Sequence, residues 1–370
     1  MKQAKKILVA PLNWGLGHAA RCIPIINELN KLGVEVVIGA DGEALELLRK
    51  EFPDLHWIRI PGHIVRYHEK GNLTAKLLLQ LPQLMMAVKA EHSLLKKIIV
   101  SEKIDAVIAD NRFGLYAGTI ASVFITHQTS IKLPKLIAWM EPIFNGINHF
   151  FISKFDNCWI PDFEGQHNLS GDLSHKFPLR GNTAFIGPLS RFSYQEEKGK
   201  YDILVLLSGP EPQRTVLERL LTDQLLRVVD KRAGAASLQQ RLNVLLVRGI
   251  TGGSSVPVSL AENFTRVDYL LTKELNEAIL SSGIIISRPG YTTIMDLAVL
   301  GRKAILIPTP GQTEQEYLAQ YFMQRGIYYS AVQEGFDLVT ALERAKSFTG
   351  QTIRDTGKLN AHLVSWLFTL

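Results

Sequence analysis

The first residues that could do chemistry are Trp14–His18, which lie between an apolar run and an amphipathic segment in ILVAPLNWGLGHAARCIPIINEL. Glycines at this point can form a tight turn, and they can also clear space for a ligand. A helix that follows would direct its N–H groups and the positive end of its dipole at that ligand. An imidazole titrates in the range useful for taking a proton from a hydroxyl, so His18 is a candidate general base. The alternative is an ordinary turn with a solvated histidine.

A second polar loop, SGPEPQR at Ser208–Arg214, follows another apolar run. Gly209 would let the backbone approach a ligand, and the start of the next helix could receive a phosphate. Arg214 could add a bidentate contact to that phosphate. The alternative is an ordinary loop with a surface arginine.

The third polar segment, within Ile284–Phe322, is the most informative. Ser287–Gly290 leaves a predicted strand, and Thr292 and Thr293 open the next helix. Asp296 lies four residues after Thr292, near the same helix face, where a carboxylate could accept the two hydroxyl hydrogens of a ribose. Each polar residue here could be a helix cap or a solvated side chain, but together they favour a ligand rich in hydroxyls. The amides and carboxylates of the next loop suit such a ligand, and they are Gln312, Thr313, Glu314, Gln315 and Glu316.

Strands and helices must alternate to position these loops. Continuous apolar strands separated by helices predict a parallel sheet covered on both faces, and ligands bind beyond the carboxyl ends of such strands. A long helix, Leu73–Val100, should be bent or broken at Pro82. The other predicted elements of the first half are the strands Ile7–Pro11, Val34–Ala40, His56–Ile60, Ala106–Asp110, Ser122–Thr126 and Asn157–Ile160, and the helices Arg21–Leu32 and Glu43–Lys50.

The pattern then restarts, because Gly199–Leu221 repeats the order of strand, glycine loop and helix. We therefore predict an α/β fold with two Rossmann-like, doubly wound domains that face each other across a cleft. The predicted divisions are an N-terminal domain at 1–187, a polar linker at 188–200, a C-terminal domain at 201–350, and a helical segment at 351–370 that packs back on the body. The later strands are predicted at Val244–Arg248, Arg266–Tyr269, Ile284–Ser287 and Ala304–Pro308.

The composition limits the class of protein and of partner. A chain of 370 residues with 46% hydrophobic and 21% charged residues is long enough for two globular domains. The net charge is +6, and residues 1–200 carry 24 basic and 19 acidic groups. This mild surplus suits an anionic ligand or a membrane surface, and it is too diffuse for nucleic-acid binding. Cys22 and Cys158 indicate neither a disulfide framework nor a metal site, and the start does not resemble a signal peptide, so we expect a cytoplasmic protein.

In order and spacing these segments resemble the MurG-like group of GT-B glycosyltransferases. Members of this group move N-acetylglucosamine or another sugar from a nucleotide diphosphate onto an acceptor. The resemblance covers most of the chain and is strongest at Asn13–Arg21 and Ser287–Tyr321. It implies a nucleotide-sugar donor, expected to be a UDP-sugar, an acceptor of unknown identity, no cofactor and no bound metal. No Asp-x-Asp pair lies between the two predicted domains, which agrees with metal-free transfer.

The resemblance also implies roles for individual residues. His18 matches the histidine of the N-terminal glycine-rich loop, and Leu270 and Leu271 match the apolar segment against the base. Glu316 stands where the family has the second of two glutamines that hold the donor sugar. The implied donor-phosphate residues are Ser208, Gly209, Arg214, Gly290, Tyr291, Thr292 and Thr293. The implied nucleotide, ribose and sugar residues are Arg248, Leu270, Leu271, Asp296, Gln312, Gln315 and Glu316. The implied acceptor-side residues are Gly15, Gly17, Asp110, Arg112, His127 and Gln128.

The acceptor hydroxyl is expected to attack the anomeric carbon while His18, or alternatively Asp110 or His127, removes its proton. Two other functions stay open. The run Gly17–Cys22 is also similar to nucleotide-sugar hydrolases of the pseudaminic acid pathway, in which water replaces the acceptor. A non-catalytic protein that senses nucleotide sugars is the other alternative.

A possible membrane contact is the segment His63–Lys97, which combines Leu and Met with five lysines. Such a helix could lie on an anionic bilayer at the inner face of the membrane and give access to a lipid-linked acceptor. The alternative is a core helix with solvated lysines. Those lysines are Lys70, Lys76, Lys89, Lys96 and Lys97.

Overall fold

The computed structural model describes residues 4–62, 73–177, 181–229, 242–353 and 358–370. These residues form two compact units, each with its own hydrophobic core. The first unit contains the described residues up to 191 together with 358–370, and the second contains those from 192 to 353. Across these ranges we find no helix that is both long and apolar enough to cross a membrane.

The first unit contains a parallel sheet with the strand order β3-β2-β1-β4-β5-β6-β7. Its central strands are continuous apolar runs that are buried on both faces, as expected where helices cover both sides. The strands are β1 (Lys6–Pro11), β2 (Glu35–Ala40), β3 (His56–Arg59), β4 (Ala106–Asp110), β5 (Ala121–Ile125), β6 (Asn157–Ile160) and β7 (Thr183–Phe185).

Two predictions for the helices of this unit need correction. Helix α1 begins at Leu16 rather than at Arg21, so Gly17 and His18 belong to its first turn. The turn is made by Gly15 alone, whose φ of 70° favours glycine. Helix α3 continues across Pro82 and is not broken there. The helices are α1 (Leu16–Lys31), α2 (Gly42–Glu51), α3 (Leu73–Glu102), α4 (Glu141–Ile152) and α5 (Asp172–His175), and a 3₁₀ helix (Lys135–Met140) precedes α4.

The second unit repeats this plan, with the strand order β10-β11-β9-β8-β12-β13-β14. The pairs are parallel except for the edge pair of β10 and β11, which is antiparallel. The strands are β8 (Tyr201–Leu206), β9 (Val244–Val247), β10 (Val258–Ala261), β11 (Phe264–Val267), β12 (Ser282–Ser287), β13 (Ala304–Leu306) and β14 (Tyr329–Ser330). The helices are α6 (Gln213–Val229), α7 (Thr272–Leu280), α8 (Tyr291–Leu300), α9 (Thr313–Gln324) and α10 (Leu338–Ala345).

The last helix, α11 (Lys358–Leu367), belongs to the first unit although it is C-terminal in sequence. Its Trp366 ring packs against Trp159 with ring centroids 5.4 Å apart, and Asn360 donates a hydrogen bond to Glu28 of α1. The two parallel-dominated sheets with flanking helices confirm the predicted α/β class.

Candidate functional site

In the first unit, polar side chains meet at the carboxyl ends of three neighbouring strands. His18 follows β1 and lies in the first turn of α1, Asp110 is the last residue of β4, and His127 comes two residues after β5. Because β1, β4 and β5 are adjacent parallel strands, their carboxyl ends lie side by side. The fold therefore places these three sequence-predicted residues in one cluster, and all three are buried.

Arg21 holds the cluster together, although the sequence analysis gave it no role. Its Nε donates to Asp110 Oδ2 at 2.6 Å, and its Nη2 donates to Asp110 Oδ1. Its Nη1 lies 2.9 Å from His127 Nδ1, and its Nη2 lies 2.9 Å from His18 Nδ1. His18 Nδ1 is also 3.2 Å from Asp110 Oδ1. The guanidinium thus contacts the carboxylate and both imidazoles.

Burial and the contacts of Arg21 determine the charges of the other residues in the cluster. Burial, reinforced by the Arg21 charge, lowers the pKa of His18 below its ordinary value. Burial alone would raise the pKa of Asp110, but the positive charge of Arg21 and the contacts with His18 outweigh it and lower that pKa to about 2. Near pH 7, Asp110 is therefore a carboxylate, Arg21 is a cation, and His18 is a neutral imidazole.

The hydrogen-bond geometry limits where protons can sit on the imidazoles. A guanidinium only donates, so His127 Nδ1 accepts from Arg21, and a neutral His127 carries its proton on Nε2. His18 Nδ1 faces one donor, Arg21, and one acceptor, Asp110. It can therefore accept from Arg21, or it can carry a proton and donate to Asp110, which leaves the lone pair on Nε2.

Two other predicted acceptor-side residues lie in different surroundings. The Arg112 guanidinium is buried, pairs with Glu91 at 2.8 Å, and donates to the carbonyls of Ile60 and Pro61. Gln128 is half-buried, and its carbonyl accepts from Asn148. Arg112 thus joins the segment after β3, α3 and the loop after β4, and its contacts support these elements.

In the second unit, the predicted donor residues follow neighbouring strands of the sheet. Arg288 links their loops, although the sequence analysis gave it no role. This buried side chain donates to the carbonyls of Ile307 and Pro308 after β13, to the carbonyl of Gln213 at the start of α6, and to Gln333. All four of these acceptors are neutral. Burial lowers the pKa of Arg288 to about 10, so the side chain stays cationic near pH 7.

Arg214 and Glu211 form an ion pair within the first of these loops. Arg214 Nη2 lies 2.9 Å from Glu211 Oε1, and Arg214 Nη1 donates to the carbonyl of Gly249 at 3.0 Å. The other carboxylate oxygen of Glu211 accepts from the backbone N–H of Thr215, in the first turn of α6. The chain's own carboxylate therefore lies where the sequence analysis expected a donor phosphate.

The loop before α8 differs from the one before α6. Gly290 precedes α8 and offers no side chain to cap the helix. Its φ of −69° is open to any residue, and an added Cβ would come no closer than 3.9 Å to the Thr293 hydroxyl. The fold itself therefore does not require glycine here. The absent side chain leaves space beside the N–H groups of the first turn.

The predicted sugar-binding residues brace the loop before α9. Gln312 caps α9 by accepting from the backbone N–H of Gln315. Gln315 Oε1 accepts from the N–H of Thr309 at 2.8 Å, and Glu316 accepts from Gly311 at 2.8 Å. The bond to Gln315 Oε1 fixes the direction of its NH₂ group, which is the end that can donate to a sugar hydroxyl.

The remaining predicted donor residues also lie at or after strand ends. Arg248 follows β9 and forms ion pairs with Glu218 at 2.8 Å and Asp268 at 2.9 Å. Leu270 and Leu271 precede α7 and are half-buried, so part of their apolar surface is accessible. Ser208 and Gly209 follow β8. The other four residues lie on α8, where Tyr291 and Asp296 are buried and Thr292 and Thr293 are half-buried.

Comparison with known proteins finds similar glycosyltransferases. Residues 221–349 match the glycosyltransferase family 28 C-terminal domain. An uncharacterised glycosyltransferase of Methanosarcina acetivorans is 25% identical over 87% of this chain and 84% of its own length. The UDP-N-acetylglucosamine–N-acetylmuramyl-(pentapeptide) pyrophosphoryl-undecaprenol N-acetylglucosamine transferase of Mannheimia succiniciproducens is 25% identical over 93% of this chain and 91% of its own length.

Solved structures are similar over the whole chain at low sequence identity. MurG of Acinetobacter baumannii superposes with a TM-score of 0.55 at 15% identity, covering 100% of both chains. The spinosyn forosaminyltransferase SpnP superposes with a TM-score of 0.57 at 16% identity, covering 98% of this chain and 94% of its own. These likenesses show the GT-B fold. The sequence matches, taken separately, support a glycosyltransferase that is similar to the MurG-like group.

Proposed function

We propose that this enzyme transfers a sugar from a nucleoside diphosphate, preferably UDP, to a hydroxyl of a lipid-linked acceptor, with His18 as the general base. The observation that carries the proposal is the contact of His18 with the buried Asp110–Arg21 pair. A neutral imidazole beside a carboxylate that stays ionised is suited to proton removal near pH 7. The same low pKa that keeps Asp110 ionised makes it a poor base, so Asp110 is assigned a positioning role.

The proton transfer follows from the tautomer that Asp110 favours. With its Nδ1–H donated to Asp110, His18 presents the Nε2 lone pair to the acceptor hydroxyl. The acceptor oxygen forms a bond to the anomeric carbon as the bond from that carbon to the diphosphate oxygen breaks. The hydroxyl proton passes to Nε2, and the electron pair of the broken bond leaves with the nucleoside diphosphate. Asp110 stabilises the imidazolium that results.

The second unit is proposed to bind the donor. The open space at Gly290 and the N-terminus of α8 support a diphosphate site there, and Arg288 adds a positive charge among the same loops. Leu270 and Leu271 would contact the base, Asp296 the ribose hydroxyls, and Gln315 the sugar. The proposed mechanism neutralises the leaving group with these groups and uses no metal, so we expect equal activity in EDTA and in Mg²⁺.

The lipid-linked acceptor is proposed from the Mannheimia succiniciproducens relative, whose name specifies a pyrophosphoryl-undecaprenol acceptor. Such an acceptor would bring the enzyme to the inner face of the membrane. The predicted membrane segment His63–Lys97 lies partly outside the described residues. In its described part, Met85 and Met86 are exposed on α3, while Leu95 is buried.

A thermal-shift screen against UDP-, GDP- and dTDP-sugars tests the donor. A bound nucleotide at a hundredfold excess over Kd should stabilise the protein by about 2.7 kcal/mol. The best donor is then used in transfer assays with His18→Ala and, as a matched control, with His167→Ala, since His167 is an exposed histidine of the same unit. We expect His18→Ala to lower kcat by roughly 10²–10⁴-fold, with the donor shift retained, and His167→Ala to keep full activity.

Other results would select other functions. Full activity of His18→Ala removes this residue from the mechanism. Release of free sugar without any acceptor, at a rate that acceptors do not increase, identifies a hydrolase. Tight donor binding without turnover, whichever acceptor is offered, identifies a nucleotide-sugar sensor.

A further inference from the structure

Asn111, the residue directly after Asp110, has a backbone conformation that residues with a side chain rarely adopt. Its φ is 58°, in the left-handed region where a Cβ atom crowds the backbone. Within the described ranges, Lys103 is the other residue with a side chain and a positive φ, and the remaining residues with positive φ are glycines. Asparagine tolerates this region better than most residues, so a turn that does not use glycine can use a short amide here.

The conformation of Lys103 has an ordinary cause. Lys103 directly follows α3, and the N–H of Ile104 donates to the carbonyl of Ile99 at 3.1 Å, which closes the last turn of the helix. A left-handed residue at this point is a common way for a helix to end. Asn111 follows a strand instead, so the end of a helix does not explain its conformation. Strained backbone without such a cause is concentrated at active sites and ligand-binding turns.

Hydrogen bonds to two neighbouring strands fix the position of Asn111. The carbonyl of Asp110 accepts from the N–H of Leu12, directly after β1, at 2.9 Å. The N–H of Asn111 donates to the carbonyl of Ile125, the last residue of β5, at 3.0 Å. The peptide between Asp110 and Asn111 is therefore held from both sides. Because consecutive Cα atoms are about 3.8 Å apart, Asn111 is held next to the residue whose carboxylate contacts His18.

The chain leaves the cluster at the next residue. Arg112 turns away to Glu91 and to the carbonyls of Ile60 and Pro61. Its side chain is 0% exposed, so an acceptor cannot reach the guanidinium. The left-handed turn thus places the side chain of Asn111, which is half-buried, between a residue of the cluster and a residue that supports the fold.

The side-chain amide of Asn111 has no hydrogen-bond partner among the residues that the structure describes. Because the side chain is half-buried, part of it is accessible to a ligand. An amide donates and accepts, which suits the neighbouring hydroxyls of a sugar. The adjacent strand β5 shows the same feature, because Gln128 directly follows His127, is half-buried, and has a side-chain amide without a described partner. Two accessible amides thus lie beside the cluster, one after each strand.

We propose that Asn111 is an acceptor-binding residue, whose amide bonds the polar groups of a sugar-bearing acceptor beside the attacking hydroxyl and holds that hydroxyl at His18. If only the turn were required, glycine would make it without strain, as Gly15 does between β1 and α1. The amide is the group that glycine lacks. The inference rests on the proposed function, and it assigns to Asn111 the acceptor contact that the sequence analysis expected at Arg112.

The test compares two glycine variants of the full chain, Asn111→Gly and, as the matched control, Lys103→Gly. Both positions have a positive φ and lie in the first unit, so glycine relieves the same kind of backbone strain in each. The assay is transfer from the best donor of the thermal-shift screen to a pyrophosphoryl-undecaprenol that carries a sugar. Donor binding, urea unfolding and the pH dependence of kcat/KM are measured for each variant.

Asn111→Gly should lower kcat/KM for the acceptor about tenfold, mainly through a higher acceptor KM, which is the loss expected when one or two hydrogen bonds are removed. Its donor Kd should be unchanged. The acid limb of kcat/KM should also stay in place, because the contacts of His18 with Asp110 and Arg21 remain. Lys103→Gly should transfer like the wild type. Both variants should keep about the wild-type urea midpoint, because relief of strain offsets the greater freedom of glycine in the unfolded chain.

Three results would overturn this assignment. In the first, Asn111→Gly keeps the wild-type kcat/KM for the acceptor. In the second, its acid limb moves together with the loss of transfer, which would mean that the variant displaces Asp110. In the third, Lys103→Gly loses transfer to the same extent. Failure of the proposed function is distinguishable, because the wild-type chain would then transfer no sugar, and the role of Asn111 would fall with it.

Discussion

The buried contact between Asp110 and Arg21 leads to the sharpest prediction, which concerns Asp110→Asn. The substitution keeps the shape of the side chain and removes its charge. It leaves the Arg21 guanidinium buried without a carboxylate, and it removes the acceptor that holds a proton on His18 Nδ1. Stability and catalysis should therefore both change, each with its own pH dependence.

The size of the stability change follows from burial and from the pKa of Asp110. Breaking a fully buried ion pair costs about 3–5 kcal/mol. The folded state lowers the pKa of Asp110 from 3.8 to about 2, and this difference corresponds to about 2 kcal/mol of stability while the carboxyl is ionised in both states. This part is fully present above about pH 4 and is lost as the pH falls toward 2. The difference in unfolding free energy between wild type and Asp110→Asn should narrow by that amount across the same window.

Tryptophan fluorescence during urea unfolding measures this difference in unfolding free energy for the first unit, which contains Asp110. The five tryptophans, Trp14, Trp57, Trp139, Trp159 and Trp366, all lie in the first unit, so their signal reports its unfolding alone. Asp162→Asn is the matched control, because Asp162 is equally buried in the same unit and accepts from the backbone of Leu169 and Ser170 rather than from an arginine. It should also destabilise the unit.

The kcat of sugar transfer distinguishes Asp110→Asn from the control Asp162→Asn. Asp110→Asn should lower kcat by roughly 10²–10⁴-fold, since a neutral amide neither fixes the tautomer nor stabilises the imidazolium. In the wild type, the acid limb of kcat/KM should lie below the ordinary histidine pKa, because burial lowers the pKa of His18. In the variant it should move lower still, because Asp110 acts to raise that pKa. The reasoning is refuted if Asp110→Asn keeps the wild-type kcat and pH profile, or if Asp162→Asn changes them equally.

The second unit, which is proposed to bind the donor, supports three further predictions. Gly290→Ala should leave the free energy of unfolding within about 0.5 kcal/mol of wild type but weaken UDP-sugar binding about tenfold in calorimetry. Equal weakening of the fold and of binding would contradict the role of Gly290 in leaving space for the ligand. Arg288→Lys should destabilise the second unit by about 1–3 kcal/mol in hydrogen exchange, because an ammonium cannot reach all four acceptors. It should also weaken donor binding, and an unchanged donor Kd would exclude an electrostatic role for Arg288. Glu211→Gln should lower the donor KM several-fold, because this carboxylate would no longer compete with the diphosphate for Arg214. An unchanged or raised KM would show that Arg214 stabilises its loop and does not bind the donor.

The parts of the fold that the sequence predicted are those set by local pattern. The strands at Ala106–Asp110 and Asn157–Ile160 were predicted with the bounds they have, because each is a short apolar run between polar residues. The edge strands Thr183–Phe185 and Tyr329–Ser330 were missed. Strands of two or three residues carry no periodicity, and pairing with a neighbour defines them.

The parts of the site that could not be predicted depend on contacts between distant residues. Arg21 lies three residues after His18 on the same helix, a spacing that places both on one face, but nothing local indicates a carboxylate 89 residues later. Arg288 lies two residues before Gly290 in sequence, yet its role depends on carbonyls that two other loops supply. From the sequence alone, an arginine near a glycine turn is most simply interpreted as a solvated residue. Only the strand order of the sheet shows that those loops lie together.

The two units use a buried arginine at the carboxyl ends of their strands in opposite ways. In the first, Arg21 is matched by the carboxylate of Asp110, so the pair adds no net charge and His18 stays neutral. In the second, the described partners of Arg288 are carbonyl and amide oxygens, and they leave its positive charge in place. A neutral imidazole is needed where a proton is removed, and an uncompensated cation is needed where a diphosphate leaves. The division of charge between the units therefore suits the two halves of the proposed sugar transfer, in which the first unit removes the proton and the second binds the diphosphate.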